Sequence, residues 1–118
     1  MNAYQQQAEV FRALAHPVRL RILDVLARQE ACVCHLTAVL RKQQPYVSQQ
    51  LAALRLAGLV ADRREGTLIY YCLADERLAG LLAESRALTV AVAGEGVTFP
   101  PVPESAVDQC PCPRCQGA

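Results

Sequence analysis

The fold of this chain depends on one stretch, residues 43–60, with the sequence QQPYVSQQLAALRLAGLV. At helical period, Val47, Leu51 and Leu54 fall on one face of this stretch. Pro45 suits the first turn of a helix, and Gly58 stands where a helix is expected to stop. A short helix that buries one face and presents amides and hydroxyls on the other has the form of a DNA recognition helix. Taken alone, the stretch fits an ordinary amphipathic core helix equally well.

The residues before this stretch favour the DNA-reading interpretation. Residues 32–40 predict a short apolar helix, and residues 41–44 form a tight polar turn into the next helix. A helix, a short turn and a second helix of this size are typical of the helix-turn-helix motif. Two further helices are predicted upstream, over about residues 4–14 and from Pro17 onwards.

The residues after the stretch predict a hairpin. Residues 59–64 and 68–73 predict two strands, and a glycine-containing turn at residues 65–67 joins them. This arrangement places Arg63 and Arg64 near the tip of the hairpin.

A last helix, capped by Asp75, carries a long apolar stripe. The stripe consists of Leu78, Leu81, Leu82, Ser85, Leu88 and Val92. A small monomer offers this helix little to pack against, so we predict a dimer contact; packing within the monomer core is the alternative. We therefore assign residues 1–93 to one DNA-binding and dimerisation domain and residues 94–118, which are rich in proline and cysteine, to a C-terminal tail.

Composition limits the classes of protein that fit. The chain has 118 residues, 53% of them hydrophobic, and a formal net charge of +1. It is long enough for one globular domain, and any DNA-binding surface must be a local patch. No apolar run approaches a membrane span, and the N-terminus lacks a signal-peptide pattern, so we expect a cytoplasmic protein without a membrane partner.

The six cysteines are clustered rather than scattered. Cys32 and Cys34 form one Cys-x-Cys, whereas Cys72 stands alone. A second cluster near the C-terminus contains Cys110, Cys112 and Cys115. In a reducing compartment such clusters indicate metal binding or redox sensing rather than a disulfide framework.

Three motifs make residues 8–92 similar to the ArsR/SmtB family of bacterial metal-sensing repressors. They are residues 11–23 (FRALAHPVRLRIL), residues 47–60, and residues 64–66 (REG) followed by Tyr70 and Tyr71. The resemblance implies a mainly α fold with a small β-hairpin, the winged helix-turn-helix, assembled as a homodimer. It also implies binding to operator DNA and release of that DNA when a ligand binds.

Two departures from the family pattern affect this interpretation. Gln43 and Gln50 stand where the family usually has Ser and His, and Gln is a weaker N-cap than Ser. The Asp and His pattern that binds zinc between the last helices in many members is absent, because Asp75 is followed by Arg77 and that helix contains no His.

Residues 31–36 (ACVCHL) resemble the thiolate metal motif of the family at the third helix, which is used for arsenic, antimony, lead or cadmium. Some members have a further Cys at the position of Thr37. Thiolates favour soft ions, and As(III) is satisfied by three sulfurs. The predicted ligands are Cys32, Cys34, Cys110, Cys112 and Cys115; the tail either completes the site of Cys32 and Cys34 or closes a site of its own.

Helix geometry restricts how Cys32 and Cys34 bind one ion. Residues two apart on an α-helix point about 200° apart. The two thiols therefore cannot hold one ion while both lie in a regular helix. Either the helix begins after Cys34, or ion binding unwinds its first turn.

The DNA-binding prediction names residues of the recognition helix and of the hairpin. For the major groove they are Gln44, Tyr46, Ser48 and Gln49, because Gln reads adenine through two hydrogen bonds. Gln50 is also predicted to contact DNA. For the phosphates they are Lys42, Arg55, Arg63 and Arg64.

Two other functions compete with metal-responsive repression. The first is a repressor of the same fold that senses oxidants or persulfides through its thiols. The second is a thiol-rich metal-binding protein whose helix-turn-helix is only a scaffold. An enzyme is not predicted, because no Ser-His-Asp arrangement, phosphate loop or paired apolar carboxylates occur.

Overall fold

The computed structural model describes residues 1–102. The elements are α1 (Ala3–Leu14), α2 (Pro17–Arg28), β1 (Ala31–Cys32), α3 (Val33–Leu40), α4 (Gln44–Leu56), β2 (Val60–Glu65), β3 (Leu68–Leu73) and α5 (Arg77–Ala93). This order confirms the mainly helical winged helix-turn-helix. No helix within these residues is long and apolar enough to cross a membrane.

The core lies between α2, α3 and α4. Its fully buried side chains are Ile22, Leu23, Leu36, Val47, Leu51 and Leu54, each 0% exposed. The three apolar residues predicted for one face of the recognition helix are all in this set. Their burial fixes which side of α4 is left for a partner.

The predicted hairpin is confirmed, with β2 ending one residue later than expected. Gly66 adopts a φ of +60° at the turn, a conformation that glycine takes without steric cost. Val60 pairs with Leu73, and Glu65 pairs with Leu68. The hairpin therefore projects from the end of α4 as a two-stranded wing.

The strand β1 was not predicted. The sequence pattern predicts Cys32 in the first turn of α3, but Ala31 and Cys32 pair antiparallel with Tyr71 and Tyr70 of β3. The sheet order is β1-β3-β2. A two-residue strand has no apolar period, and its conformation is set by the neighbouring edge of β3.

Only part of the α5 stripe is available to a partner. Leu78 and Leu82 are each 7% exposed and belong to the monomer core. Leu81, Leu88 and Val92 are 41%, 64% and 77% exposed. The stripe therefore fits both predictions. Leu78 and Leu82 pack in the monomer core, whereas Leu88 and Val92, nearer the C-terminus of α5, remain exposed.

Within the described part of the predicted tail, Phe99 and Val102 lie against the folded body. Val102 packs on the core cluster, and the Arg86 guanidinium stands 4.4 Å from the centroid of the Phe99 ring. Arg86 also forms a salt bridge with Asp24. The predicted ligands Cys110, Cys112 and Cys115 lie outside the described residues.

Arg41 connects α3 to α4 in a left-handed conformation, with φ 54° and ψ 42°. We expect Arg41→Gly to stabilise the protein by about 1 kcal/mol, because glycine adopts this conformation without a Cβ clash. Thermal unfolding should then show a melting temperature higher by about 4–8 °C. Lys42→Gly is the control, since Lys42 does not have a positive φ; an equal rise for both variants would contradict the prediction.

Candidate nucleic-acid interface and thiol site

The outer side of α4 carries most of the residues predicted to read DNA. Gln44, Gln49 and Arg55 are exposed, and Tyr46 and Ser48 are half-buried. Gln43, the N-cap, makes no side-chain capping hydrogen bond. The first turn of α4 thus keeps N–H groups that can donate to an anion such as a DNA phosphate.

Gln50, also predicted to contact DNA, does not lie on this exposed surface. Its side chain is buried, at 9% exposed, and its Oε1 accepts a hydrogen bond of 2.8 Å from Arg19 Nε. Arg19 also donates to the Ala13 carbonyl, at 3.2 Å. Position 50 directly precedes the buried Leu51, and a buried amide oxygen requires a donor. Through Arg19, Gln50 therefore connects α4 to α2 and to the end of α1.

The arginines of the wing differ in their surroundings. Arg63 donates to Glu30 at 2.9 Å and to Glu65 at 2.8 Å, and its guanidinium lies 4.8 Å from the centroid of the Tyr70 ring. The hydrogen bonds to Glu30 and Glu65 raise the pKa of Arg63. Its charge is thus already paired with two carboxylates.

The other predicted phosphate contacts are more accessible. Arg55 reaches Asp62 at 3.3 Å across the start of β2. Arg64 and Lys42 are exposed and form no salt bridge with a described residue. Arg64 lies on β2 near the hairpin turn, and Lys42 lies in the turn before α4, so both are exposed in the elements that flank the helix-turn-helix.

The structure joins Cys32 and Cys34 in a disulfide, Sγ to Sγ, with their Cα atoms 5.4 Å apart. Cys32 is the N-cap of α3, in an extended conformation with φ −80° and ψ 164°. The helix begins at Val33, between the two cysteines. One extended residue is therefore enough to bring the two sulfurs together, and neither of the two predicted arrangements is required.

The thiol pair lies beside a surface cleft of about 420 Å³. The cleft is lined by Cys32, Val33, Cys34, Thr37, Ala38, Gln44, Thr67, Leu68 and Ile69. These residues come from the start of α3, the start of α4 and the wing. A ligand on the two sulfurs thus lies between the elements that carry the predicted DNA contacts.

His35 supports the pair through its backbone rather than its charge. The His35 N–H donates to Cys32 Sγ at 3.3 Å. Burial lowers the pKa of the His35 imidazole below its usual 6.5, because the charged form is desolvated. Burial thus favours the neutral ring over the imidazolium beside the two sulfurs.

Within residues 1–102, no group of three or more His, Cys, Asp and Glu side chains is arranged to hold a metal ion. Cys72 is half-buried on β3 opposite Ala61 and is a free thiol. The described thiol site accordingly offers two sulfurs.

Comparison with known proteins points to one family. The family model "Bacterial regulatory protein, arsR family" matches residues 16–62. The chain is 50% identical over 78 residues to the transcriptional repressor SmtB homolog of Synechocystis, covering 66% of this chain and 59% of that protein. It is 47% identical over 68 residues to the arsenic resistance transcriptional regulator ArsR1 of Pseudomonas putida, covering 57% and 53%. The chain thus matches less than two thirds of the length of either relative.

A solved structure extends the likeness over most of a domain. The homodimeric winged helix-turn-helix DNA-binding domain Mb0332 of Mycobacterium bovis, a possible ArsR-family regulator, is 35% identical with a TM-score of 0.72. The match covers 82% of this chain and 90% of that one. The chain belongs to the ArsR/SmtB family. The described residues form the winged helix-turn-helix domain of this family of bacterial regulatory proteins.

Two features of this ArsR/SmtB protein were missed by sequence reasoning. The bond between Gln50 and Arg19 joins residues 31 positions apart, and a periodic pattern does not show which polar neighbour of an apolar stripe meets a donor. The cleft is formed by packing α3 and α4 against the wing. The sequence carried one signal of this cleft, the apolar character of Val33, Leu68 and Ile69.

Proposed function

We propose that this protein is a repressor that releases operator DNA when a thiophilic ion binds its cysteines. As(III) and Sb(III) are the favoured ions, and Cd(II) or Pb(II) are alternatives. Cys32 and Cys34 supply two sulfurs, and one of Cys110, Cys112 and Cys115 supplies the third. The observation that carries the proposal is the contact between the Cys32 and Cys34 sulfurs beside the recognition helix.

Three further points support this ion class. Soft thiolate donors select thiophilic ions over hard ones. The Cys32 sulfur accepts an N–H at a helix N-terminus, a position that favours the thiolate once the disulfide is reduced. One relative is named for arsenic resistance. A separate point concerns the third sulfur: within residues 1–102, no group of three His, Cys, Asp or Glu side chains could hold a metal ion. The three tail cysteines are the other clustered thiols in the sequence.

Arsenite titration of operator-bound protein tests the function. The reduced protein is mixed with a fluorescent operator selected from a random pool, and anisotropy is followed with arsenite, cadmium and peroxide in turn. Release by arsenite at concentrations where peroxide has no effect is expected. Release by peroxide alone would favour the thiol-redox repressor, which the contact of the two sulfurs also suits. If no DNA can be selected from the pool, the result would favour the alternative of a thiol-rich metal-binding protein whose helix-turn-helix is only a scaffold.

Base reading is assigned to Gln44, Tyr46, Ser48 and Gln49, and phosphate contact mainly to Lys42, Arg55 and Arg64. We expect Gln49→Ala to cost about 1–3 kcal/mol at particular base pairs. Arg64→Ala should weaken binding to all sequences and reduce the slope of log affinity against log salt by about one. Arg63→Ala is the comparison, and its smaller slope change follows from its pairing with Glu30 and Glu65.

Affinity measured at several salt concentrations, on the selected operator and on single-base variants, separates these effects. The assignment fails if Arg64→Ala changes base preference while the salt slope stays unchanged.

The tail cysteines give a further prediction. Replacing Cys110, Cys112 and Cys115 together by serine should leave operator affinity unchanged, because the described DNA-binding elements precede residue 103. The arsenite concentration for half-release should rise about 10- to 100-fold, since one of three sulfurs is lost. Equal half-release concentrations for the parent and the triple variant would show that the tail is not part of the sensing site.

Assembly as a homodimer is part of the proposal. Large apolar side chains are exposed on α1 and α5, namely Tyr4, Phe11, Leu81, Leu88, Val90 and Val92. The solved Mb0332 domain is homodimeric. A two-fold dimer places two recognition helices on two half-sites. The protein is proposed to act in this form, on DNA in the cytoplasm.

A further inference from the structure

The described part of the predicted tail closes a cavity that is separate from the cleft beside Cys32 and Cys34. This cavity has a volume of about 250 Å³ and lies between α2, the last turn of α3 and residues 99–102. Its lining is mainly apolar and includes Leu20 of α2 and Val39 of α3. At the packing density of protein interiors, a space of this size holds roughly ten non-hydrogen atoms. It therefore accommodates a small organic molecule.

The outer wall of the cavity is held at both ends by contacts with the folded body. At one end, the Arg86 guanidinium stands 4.4 Å from the centroid of the Phe99 ring and also forms a salt bridge with Asp24. At the other end, Val102 packs on the core cluster. The two residues between Phe99 and Val102 are prolines, whose fixed φ angles restrict the backbone. The wall therefore stands over α2 without filling the space beneath it.

The two charged side chains at the cavity differ in their pairing. Asp24 is compensated by its salt bridge with Arg86. Arg21 lines the cavity, is exposed and forms no salt bridge with a described residue. A guanidinium binds a carboxylate through two parallel hydrogen bonds. The cavity thus combines an apolar interior with a cation at its edge that has no described counter-ion.

We propose that this cavity binds a small organic monocarboxylate. The apolar body of the ligand lies between α2 and residues 99–102, and its carboxylate pairs with Arg21. A second charge on the ligand would be buried in the apolar interior without a partner, which is unfavourable. A cationic ligand gains little, because Asp24 is already paired with Arg86. The site contains no cysteine, so it is independent of the proposed response to thiophilic ions.

A titration of the isotope-labelled full chain, followed by NMR chemical shifts, tests the site with three probes. The probes are hydrocinnamate, its uncharged amide, and propanoate, which lacks the ring. Hydrocinnamate should bind about tenfold or more tightly than the amide, which cannot form charge-assisted hydrogen bonds with Arg21. It should also bind about tenfold or more tightly than propanoate, because propanoate buries no ring.

An arginine variant tests the charge. Arg21→Gln should weaken hydrocinnamate binding about tenfold and leave the affinity of the amide unchanged. Arg77→Gln is the matched control, since Arg77 is an exposed arginine at the start of α5 that does not line the cavity. It should change neither affinity.

Two cavity variants locate the ring of the ligand. Leu20→Trp fills the cavity and Phe99→Ala removes part of its outer wall, so each should weaken the binding of hydrocinnamate and of its amide about tenfold. Leu20 and Phe99 are 38% and 39% exposed, so neither change disrupts the buried core.

Equal affinities of hydrocinnamate and its amide, or an Arg21→Gln variant that binds hydrocinnamate as tightly as the parent, would overturn the proposal. Absence of saturable binding by any probe would do the same, as would binding that neither cavity variant weakens. The titrations contain neither operator nor arsenite, so these outcomes do not bear on the proposed repressor function. A protein that fails the arsenite test would, in turn, still be expected to bind hydrocinnamate.

Discussion

Serine at Cys32 or at Cys34 is expected to leave operator binding intact and to abolish the response to arsenite. The two sulfurs are in contact, so each variant loses half of the described thiol site. Allosteric coupling of this kind is typically worth about 1–3 kcal/mol, which corresponds to about 5- to 150-fold in DNA affinity. In the serine variants, affinity at saturating arsenite should therefore remain at the value measured without arsenite.

The structure indicates why the fold should tolerate this change. Cys32 is 2% exposed, and its sulfur accepts the His35 N–H as the N-cap of α3. A serine hydroxyl accepts the same hydrogen bond and is a favoured N-cap. Cys72→Ser is the matched control, because Cys72 is a free thiol on β3 and should retain induction.

Anisotropy of a labelled operator, measured with and without arsenite, gives both quantities in one experiment. If the variants still release DNA at the parent's arsenite concentration, Cys32 and Cys34 are not part of the sensing site. Variants that no longer bind the operator would assign the pair a structural role instead.

The main elements could be predicted because their signals are local. The apolar period of α4, Pro17 at the start of α2 and the β-branched and aromatic residues of β3 each specify an element without reference to the rest of the chain. Their bounds were correct to within about two residues. The burial of Val47, Leu51 and Leu54 on one face of α4 could be predicted from the same period.

What could not be predicted depends on residues distant in sequence. Ala31 and Cys32 become a strand because Tyr70 and Tyr71 offer them a backbone edge. Gln50 is buried because Arg19 provides a donor. Arg63 is engaged by Glu30, 33 positions away. The sequence therefore indicated that the thiols matter, but their contact and the cleft beside them required the packed structure.

Tight operator binding is proposed to depend on the dimer, and Leu88 offers a direct test. Leu88 is 64% exposed in the monomer, so Leu88→Glu removes little monomer packing. In an apolar interface, however, the carboxylate loses its hydration without gaining a partner. We expect monomers in sedimentation velocity and a melting temperature set by the monomer alone.

The loss of operator affinity should be large, because two linked recognition helices gain about 10²- to 10⁴-fold over one through effective concentration. Leu82→Glu provides the contrast: Leu82 is 7% exposed, so that variant should unfold rather than dissociate. Leu20→Glu, on α2, should keep both the dimer and the affinity. A dimer that persists in Leu88→Glu at micromolar concentration would place the interface away from the C-terminal half of α5.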